Sequence, residues 1–277
     1  MSISAKDVKE LREQTGAGMM DCKKALQEAN GDFEKAIEIL RKKGQQLSEK
    51  RAGREANQGL IVAKVSDDGS KAAALEINCE TDFVARNEDF QNQAEEFVNL
   101  AFEQEIDSVD ELLHAKLNGL TVSDHLQDMV GKIGEKIEIN RVVFAKTDGQ
   151  LFSYIHPGSQ LGVLVEFEGK VSSGEIAKDV AMQVAAMKPL AVNREGVDSS
   201  IIDKELEIAK GQLLNEGKPE EIAEKAAMGK LRRFYEERVL LEQKFVKDNS
   251  LSVQEYLQHN DTPLVKSFYR LQLGENS

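Results

Sequence analysis

Apolar residues recur at helical spacing three times before residue 45. Val8 and Leu11 lie behind Ser4, a residue suited to cap a helix. Ala25, Leu26 and Ala29 form a second set, and Phe33, Ala36, Ile37 and Leu40 a third. The TGAG stretch at 15–18 separates the first two helices, Asn30-Gly31 ends the second, Asp32 is placed to cap the third, and Gly44 is expected to stop it. A three-helix module follows, close to the lower size limit for independent folding and suited to presenting a small rigid surface. The polar stretch from Gln45 to Gln58 reads as a linker.

Beyond Gln58 the period drops to two. Ile61, Ala63 and Val65 alternate, Asp68-Gly69 is a hairpin turn, and Ala73, Leu75 and Ile77 make the return strand. Phe90, Ala94, Phe97, Val98 and Ala101 then share a helical face, and Ser108 to Glu111 reads as a capping box opening another helix. Segments 137–144 and 151–155 flank Asp148-Gly149 as an expected second hairpin, 162–167 adds a strand, and Ile176, Val180, Val184 and Met187 form a helix stripe. Hairpin followed by helix thus occurs twice, which predicts two α+β subdomains. From Ser200 the strand signals vanish. Ile202, Leu206, Ala209 and Leu213 recur at near-heptad spacing until Gly217 and Pro219 force a turn, so an antiparallel helical coiled-coil hairpin is expected, suited to touching a partner. Ser252 to Glu255 opens a short helix, and Tyr269, Leu271 and Leu273 alternate as a closing strand of the second subdomain.

The fold class read from this pattern is α+β. Its divisions are 1–54 for the three-helix module and linker, 55–140 for the first core subdomain, 141–198 with 235–277 for the second, and 199–234 for the inserted hairpin.

Composition narrows the function. Hydrophobic residues make up 40% and charged residues 31% of the 277, enough for real cores under a strongly solvated surface. The first ten residues carry no apolar stretch or cleavage signal, no run of eighteen uncharged apolar residues occurs, and only Cys22 and Cys79 are present. A cytoplasmic protein, neither secreted nor membrane-spanning, is expected. The net charge of −13 repels phosphate backbones, so a protein partner outranks direct nucleic-acid binding. The basic cluster Arg41, Lys42, Lys43, Lys50, Arg51 and Arg54 has no interleaved aromatic residue for stacking and reads as a solvated helix end.

Little here suits covalent chemistry. His114, His125, His156 and His259 have no partner at ligand spacing, so no metal is predicted. Neither TGAG nor HPGSQLG gives a phosphate-binding fingerprint, and no cofactor is expected. Lys23 and Lys24 beside Cys22 favour a thiolate, yet a small cysteine in tight helix packing is the better reading, and the acidic neighbours of Cys79 disfavour its thiolate. Met19-Met20 either packs inside or forms an adaptable contact patch. The segment Asn78-Cys79-Glu80-Thr81-Asp82-Phe83-Val84 stands where a strand ends and a helix begins, with Thr81 suited to the N-cap. Phe83 then either enters the core between hairpin and helix, which composition favours, or projects as a rigid apolar probe beside a carboxylate.

Four strings in order, TGAGMMDCKKAL at 15–26, NCETDFVARN at 78–87, KIGEKIEINR at 132–141 and HPGSQLGVLV at 156–165, resemble the elongation factor Ts family, as do KPLAV at 188 and GKPEEIAEK at 217. The resemblance spans nearly the whole chain. It implies a ubiquitin-associated (UBA)-like N-terminal domain, a two-part α+β core and a coiled-coil hairpin. Family members typically continue into a C-terminal helical module, which is expected to be missing after Gly274-Glu275-Asn276-Ser277. The implied function is guanine-nucleotide exchange on elongation factor Tu, GDP-bound and nucleotide-free, without catalytic residues of its own. Thr81, Asp82, Phe83 and Val84 match the family's loop that disturbs the partner's Mg²⁺ site. Arg12, Met19 and Met20 match its contact to the partner's G domain, Ile133 and Gly134 lie beside the wedge, and His156 matches a contact nearer the partner's third domain. A dimer of heterodimers through the coiled coil and a simple heterodimer both fit. The competing reading is a nonenzymatic adaptor docking another translation or ribosome-associated protein through the UBA-like module.

Overall fold

A computed structural model describes residues 3–275. Helix α1 (Ala5–Thr15) opens on a reciprocal capping box: Asp7 N–H donates to the Ser4 hydroxyl, and the Asp7 carboxylate accepts from Ser4 N–H. It closes on Gly16 at φ +67°. Helix α2 (Met19–Glu28) starts at Gly18 without a side-chain cap, and α3 (Phe33–Arg51) is capped by Asp32. Val8, Leu11, Cys22, Ala25, Leu26 and Ala36 meet in one small core. Cys22 is fully enclosed there, its thiol donating to the Ala17 carbonyl at 3.6 Å.

Strands β1 (Gln58–Val65) and β2 (Lys71–Cys79) pair antiparallel around Asp68-Gly69, as the alternation predicts. The one-turn helix α4 (Asp82–Ala85) follows, then α5 (Glu88–Gln104) and α6 (Val109–His114). A two-residue ribbon of β3 (Lys116–Leu117) and β4 (Leu120–Thr121) leads into α7 (Val122–Ile133), and β5 (Ile137–Lys146) completes a sheet in the order β1-β2-β5. Ala73, Leu75, Ile77 and Cys79 line one face of β2 and pack beneath Phe90, Phe97, Val122 and Val130 of α5 and α7. Each large side chain buried in such a core contributes about 1.5–3 kcal/mol.

The second sheet is built from β6 (Gln150–Ile155), β7 (Leu161–Phe167) and, after a long excursion, β10 (Val265–Gln272), in the order β10-β7-β6. Helix α8 (Gly174–Met187) covers its outer face through Ala177, Val180, Ala181 and Val184, whereas Met187, expected in that stripe, ends the helix 41% exposed. Helices α9 (Ser199–Asn215) and α10 (Glu220–Arg238) form the predicted hairpin, with Gly217 at φ +80° in the turn and a narrow seam of Ala209, Leu213, Ala223 and Ala227. The ribbon of β8 (Lys244–Phe245) and β9 (Asp248–Ser252) and helix α11 (Val253–His259) precede β10. The two sheets face each other across Ile61, Ala72, Ala74, Ala145, Leu151, Leu164 and Leu271. Small residues allow this approach: a Cβ on Gly162 would lie 2.6 Å from Ile61 Cγ2.

Three sequence expectations are corrected. Gly44 does not stop α3, which runs on through Arg51 and takes the first part of the expected linker with it. The glycine serves a close crossing instead: a Cβ on Gly44 would lie 2.9 Å from the Gln127 carbonyl oxygen of α7, and one on Gly131 would lie 3.1 Å from Gly44 Cα. Asp148-Gly149 is not a hairpin turn, because β5 pairs with β2 and β6 pairs with β7. Backbone bonds from Thr147 N–H to Ser70 and from Leu151 N–H to Gly69 carry the chain around the first hairpin's tip from one sheet to the other. The true second hairpin is β6–β7, turned by residues 156–160. Finally, the expected division at 140 falls inside β5, which stays paired to β2 from Ile137 to Lys146.

Candidate functional site

The segment 78–84 is held by its neighbours on both sides. β2 ends at Cys79, whose buried thiol donates to the Thr81 carbonyl at 3.1 Å. Burial, then the negative charge of Glu135, push that thiol up to about 12, so it stays protonated and acts as a donor, not a nucleophile. Thr81 is extended and stands at the N-cap position of α4, as expected, but its hydroxyl does not cap the helix. It donates to Glu135 Oε1 at 2.7 Å, while its N–H donates to Oε2 of the same carboxylate at 3.0 Å.

Glu80 is a second anchor. Its carboxylate accepts from Arg51 at 2.6 Å, Arg54 at 3.0 Å and the Lys136 N–H at 2.6 Å. Burial works to raise this carboxyl, but the Lys136 amide and the two guanidiniums outweigh it and hold the group at about 2. A carboxyl depressed in the folded state stabilises above its unfolded value near 4.5, and that stabilisation is lost as pH falls from there towards 2. Glu80→Gln is therefore expected to lower stability by about 1–2 kcal/mol near neutral pH. Denaturant unfolding of both proteins at pH 7 and pH 3 checks this: the gap between them should shrink at the lower pH.

Between these anchors the four-residue helix sorts its side chains. Val84 and Ala85 pack against the core under α5. Asp82 pairs with Arg86 at 2.9 Å on the surface. Phe83 is 81% exposed, which no side chain of its size achieves by default in a folded core.

The other expected positions distribute around this helix. Ile133 and Gly134 end α7, with Gly134 at φ +82°, and they share a groove of about 440 Å³ with Thr15, Ala17 and Gly18 of the α1–α2 turn. Met19 and Met20 begin α2 next to that groove, 54% and 63% exposed, which decides for a surface patch over core packing. Arg12 is exposed on α1. A second groove of about 450 Å³ brings Asp82 and Arg86 together with Gly59 and with Gly158, Ser159 and Gln160 of the β6–β7 turn. Ile61 N–H donates to the Ser159 carbonyl at 2.7 Å and ties that turn to β1. His156, exposed at its start, takes a 2.8 Å hydrogen bond between its Nδ1 and the Tyr154 hydroxyl.

Glu135, Glu80, Arg51 and Arg54 hold this segment without a signal in the sequence: Arg51 and Arg54, expected as part of a solvated helix end, pair with Glu80 instead. Glu135 lies 54 positions from Thr81, and no local pattern links the two. Among the described residues no group of three His, Cys, Asp or Glu comes together to hold a metal ion, and no helix is long and apolar enough to cross a membrane.

A family model described as "Elongation factor TS" matches residues 80–275. Curated proteins named elongation factor Ts are similar over nearly the full length. The one from Prosthecochloris aestuarii is 48% identical over 98% of this chain and 99% of its own. Those from Chlorobium phaeobacteroides and Christiangramia forsetii are 45% and 48% identical over the same shares. With the family model over most of the chain and identity near one half from end to end, the chain belongs to the elongation factor Ts family of translation elongation factors.

Proposed function

We propose that this chain is a guanine-nucleotide exchange factor for elongation factor Tu, acting in the cytoplasm, with Phe83 as an apolar wedge and Asp82 as its acidic companion. The observation that carries this reading is the 81% exposure of a phenylalanine on a helix turn anchored at both ends. Nucleotide in a G domain is held by Mg²⁺ bridging phosphate oxygens and by backbone N–H groups cradling them. A ring driven under the elements that carry those groups displaces both kinds of stabilisation together. No bond in either protein is made or broken, so the acceleration is conformational, not enzymatic chemistry.

Magnitudes show that the wedge does not act alone. A thousandfold faster release requires a barrier lower by about 4 kcal/mol. Burying one Phe returns about 1.5–3 kcal/mol. Arg12, Met19 and Met20 on the G domain, Ile133 and Gly134 beside the wedge, and His156 nearer the third domain supply the remainder in this account. Factor and nucleotide favour different shapes of the same partner, so each weakens the other by an equal factor, and incoming nucleotide ejects the factor.

Mixing the chain with GDP-bound elongation factor Tu is expected to yield a complex free of nucleotide on size-exclusion chromatography, which dissolves on adding GDP and Mg²⁺. The mass of that complex also distinguishes a heterodimer from a dimer of heterodimers. Failure to co-elute would transfer preference to the adaptor reading, in which the exposed methionines of α2 dock a different partner.

A further inference from the structure

We infer that Glu135 is a positioning residue for the Phe83 wedge: its carboxylate, braced by the α3–α7 crossing, holds α4 in the projecting conformation. The inference rests on the exchange reading above and adds to it the residue that keeps the wedge out.

A single helical turn does not hold itself. Helix α4 is four residues long, has no side-chain cap and contains no buried residue, and one isolated turn is unfavourable without outside support. An exposed ring one residue before Val84, which packs against a large apolar cluster, also gains by folding back onto that cluster. Projection therefore needs attachments that resist both tendencies. Val84 and Ala85 supply one on the C-terminal side. On the N-terminal side the residue before the helix gives two donors, its N–H and its hydroxyl, to the two oxygens of Glu135 at 3.0 and 2.7 Å. A bidentate bond to a charged acceptor fixes orientation as well as distance, which a single neutral hydrogen bond does not.

Glu135 is itself placed by rigid structure. Gly134, in the left-handed region, turns the chain out of α7 immediately before it, and the Lys136 N–H immediately after it is held by Glu80. Helix α7 packs closely on α3 where Gly131 meets Gly44: a Cβ on Gly44 would lie 2.9 Å from the Gln127 carbonyl oxygen, and one on Gly131 3.1 Å from Gly44 Cα. The far end of α3 returns to the same segment, where Arg51 grips Glu80 at 2.6 Å. The brace thus runs from α3 across the glycine crossing to α7, through Gly134 to Glu135, and onto Thr81 two residues before Phe83. Of these residues, Glu135 is the one whose side chain acts on the wedge's own N-cap, from a half-buried position.

The test measures release of fluorescent GDP from elongation factor Tu against factor concentration, so that the maximal rate and the half-saturating concentration separate. Glu135→Gln preserves shape but replaces one acceptor by a donor facing the Thr81 donors. It should lower the maximal rate roughly tenfold while moving the half-saturating concentration by less than about twofold. Thr81→Val, which removes the hydroxyl alone, should lower the same parameter and add nothing further in the double variant, whereas Thr81→Ser should restore the rate. A spectroscopic readout is independent of exchange. The chain has no tryptophan, so Phe83→Trp installs a lone reporter on the wedge, and its fluorescence anisotropy in the free factor should fall when Glu135→Gln is added. Full maximal rate with unchanged anisotropy in the Glu135 variant, or a change confined to half-saturation, overturns the inference. So do losses from Thr81→Val and Glu135→Gln that multiply as independent effects. If Glu135→Gln fails to fold, Thr81→Val decides by the same criteria. Phe83→Ala is the control for the underlying reading: full exchange by that variant removes the wedge itself, whereas its loss alongside an active Glu135→Gln removes only the brace.

Discussion

Phe83→Ala is expected to remove most of the stimulation of GDP release while leaving the factor's own unfolding transition where it is. The two halves of this expectation come from one fact, the ring's 81% exposure. An exposed side chain contributes little to its own fold, so truncation creates no cavity and exposes no core. In the complex proposed above the same ring becomes buried, a transfer worth about 1.5–3 kcal/mol, which corresponds to an expected rate loss of about tenfold to a hundredfold. Release kinetics and a denaturant titration on the same preparation check both halves. A variant that exchanges normally, or that unfolds early, contradicts the assignment.

The largest loss of stability is expected not at that ring but from Arg141→Ala. Arg141 stands directly across from Glu76 on the paired strands β5 and β2. Its Nε donates to Glu76 Oε2 at 2.6 Å and its terminal nitrogen to the Gln272 carbonyl at 2.5 Å. Glu76 is only 2% exposed, so removing the guanidinium strands a charge between the two sheets. Breaking a buried pair in this way costs about 3–5 kcal/mol, a large part of a typical domain's stability. Arg141 also connects the first sheet to the end of β10, the last strand of the second, so the variant should lose its shared transition as well as its midpoint. Chemical unfolding followed by far-ultraviolet circular dichroism measures this. The double variant Glu76→Gln/Arg141→Met should recover part of the loss, because it removes the stranded charge along with its partner.

What could be read in the sequence depended on how local the cause was. Capping at Ser4 and Asp32, the alternation through Ile61 and Leu75, and the near-heptad seam of Leu206, Ala209 and Leu213 are each determined within a few residues, and each emerges in the expected element. Gly44 reads as a helix stop because a glycine that ends a helix and one that lets two helices touch look alike until the partner, Gly131, is known. Asp148-Gly149 reads as a hairpin for the same reason: a turn dipeptide shows that the chain bends, not which sheet it bends into.

The site divides along the same line. Thr81 to Val84 is recognisable as a strand-to-helix junction, yet the residues alone favoured a buried Phe83, and only the resemblance to the elongation factor Ts family pointed outward. The ring projects because Val84 and Ala85 take the inward positions on so short a helix. Glu135 and Glu80 remained invisible because their roles rest on contacts spanning 54 and 29 positions.

Whether this ring and its acidic neighbour speed nucleotide release from another protein is decided by stopped-flow release of fluorescent GDP from elongation factor Tu. With the intact chain present in excess, release should accelerate by orders of magnitude, fall back sharply with Phe83→Ala, and depend on free Mg²⁺. Release no faster with the chain than without it would contradict the account.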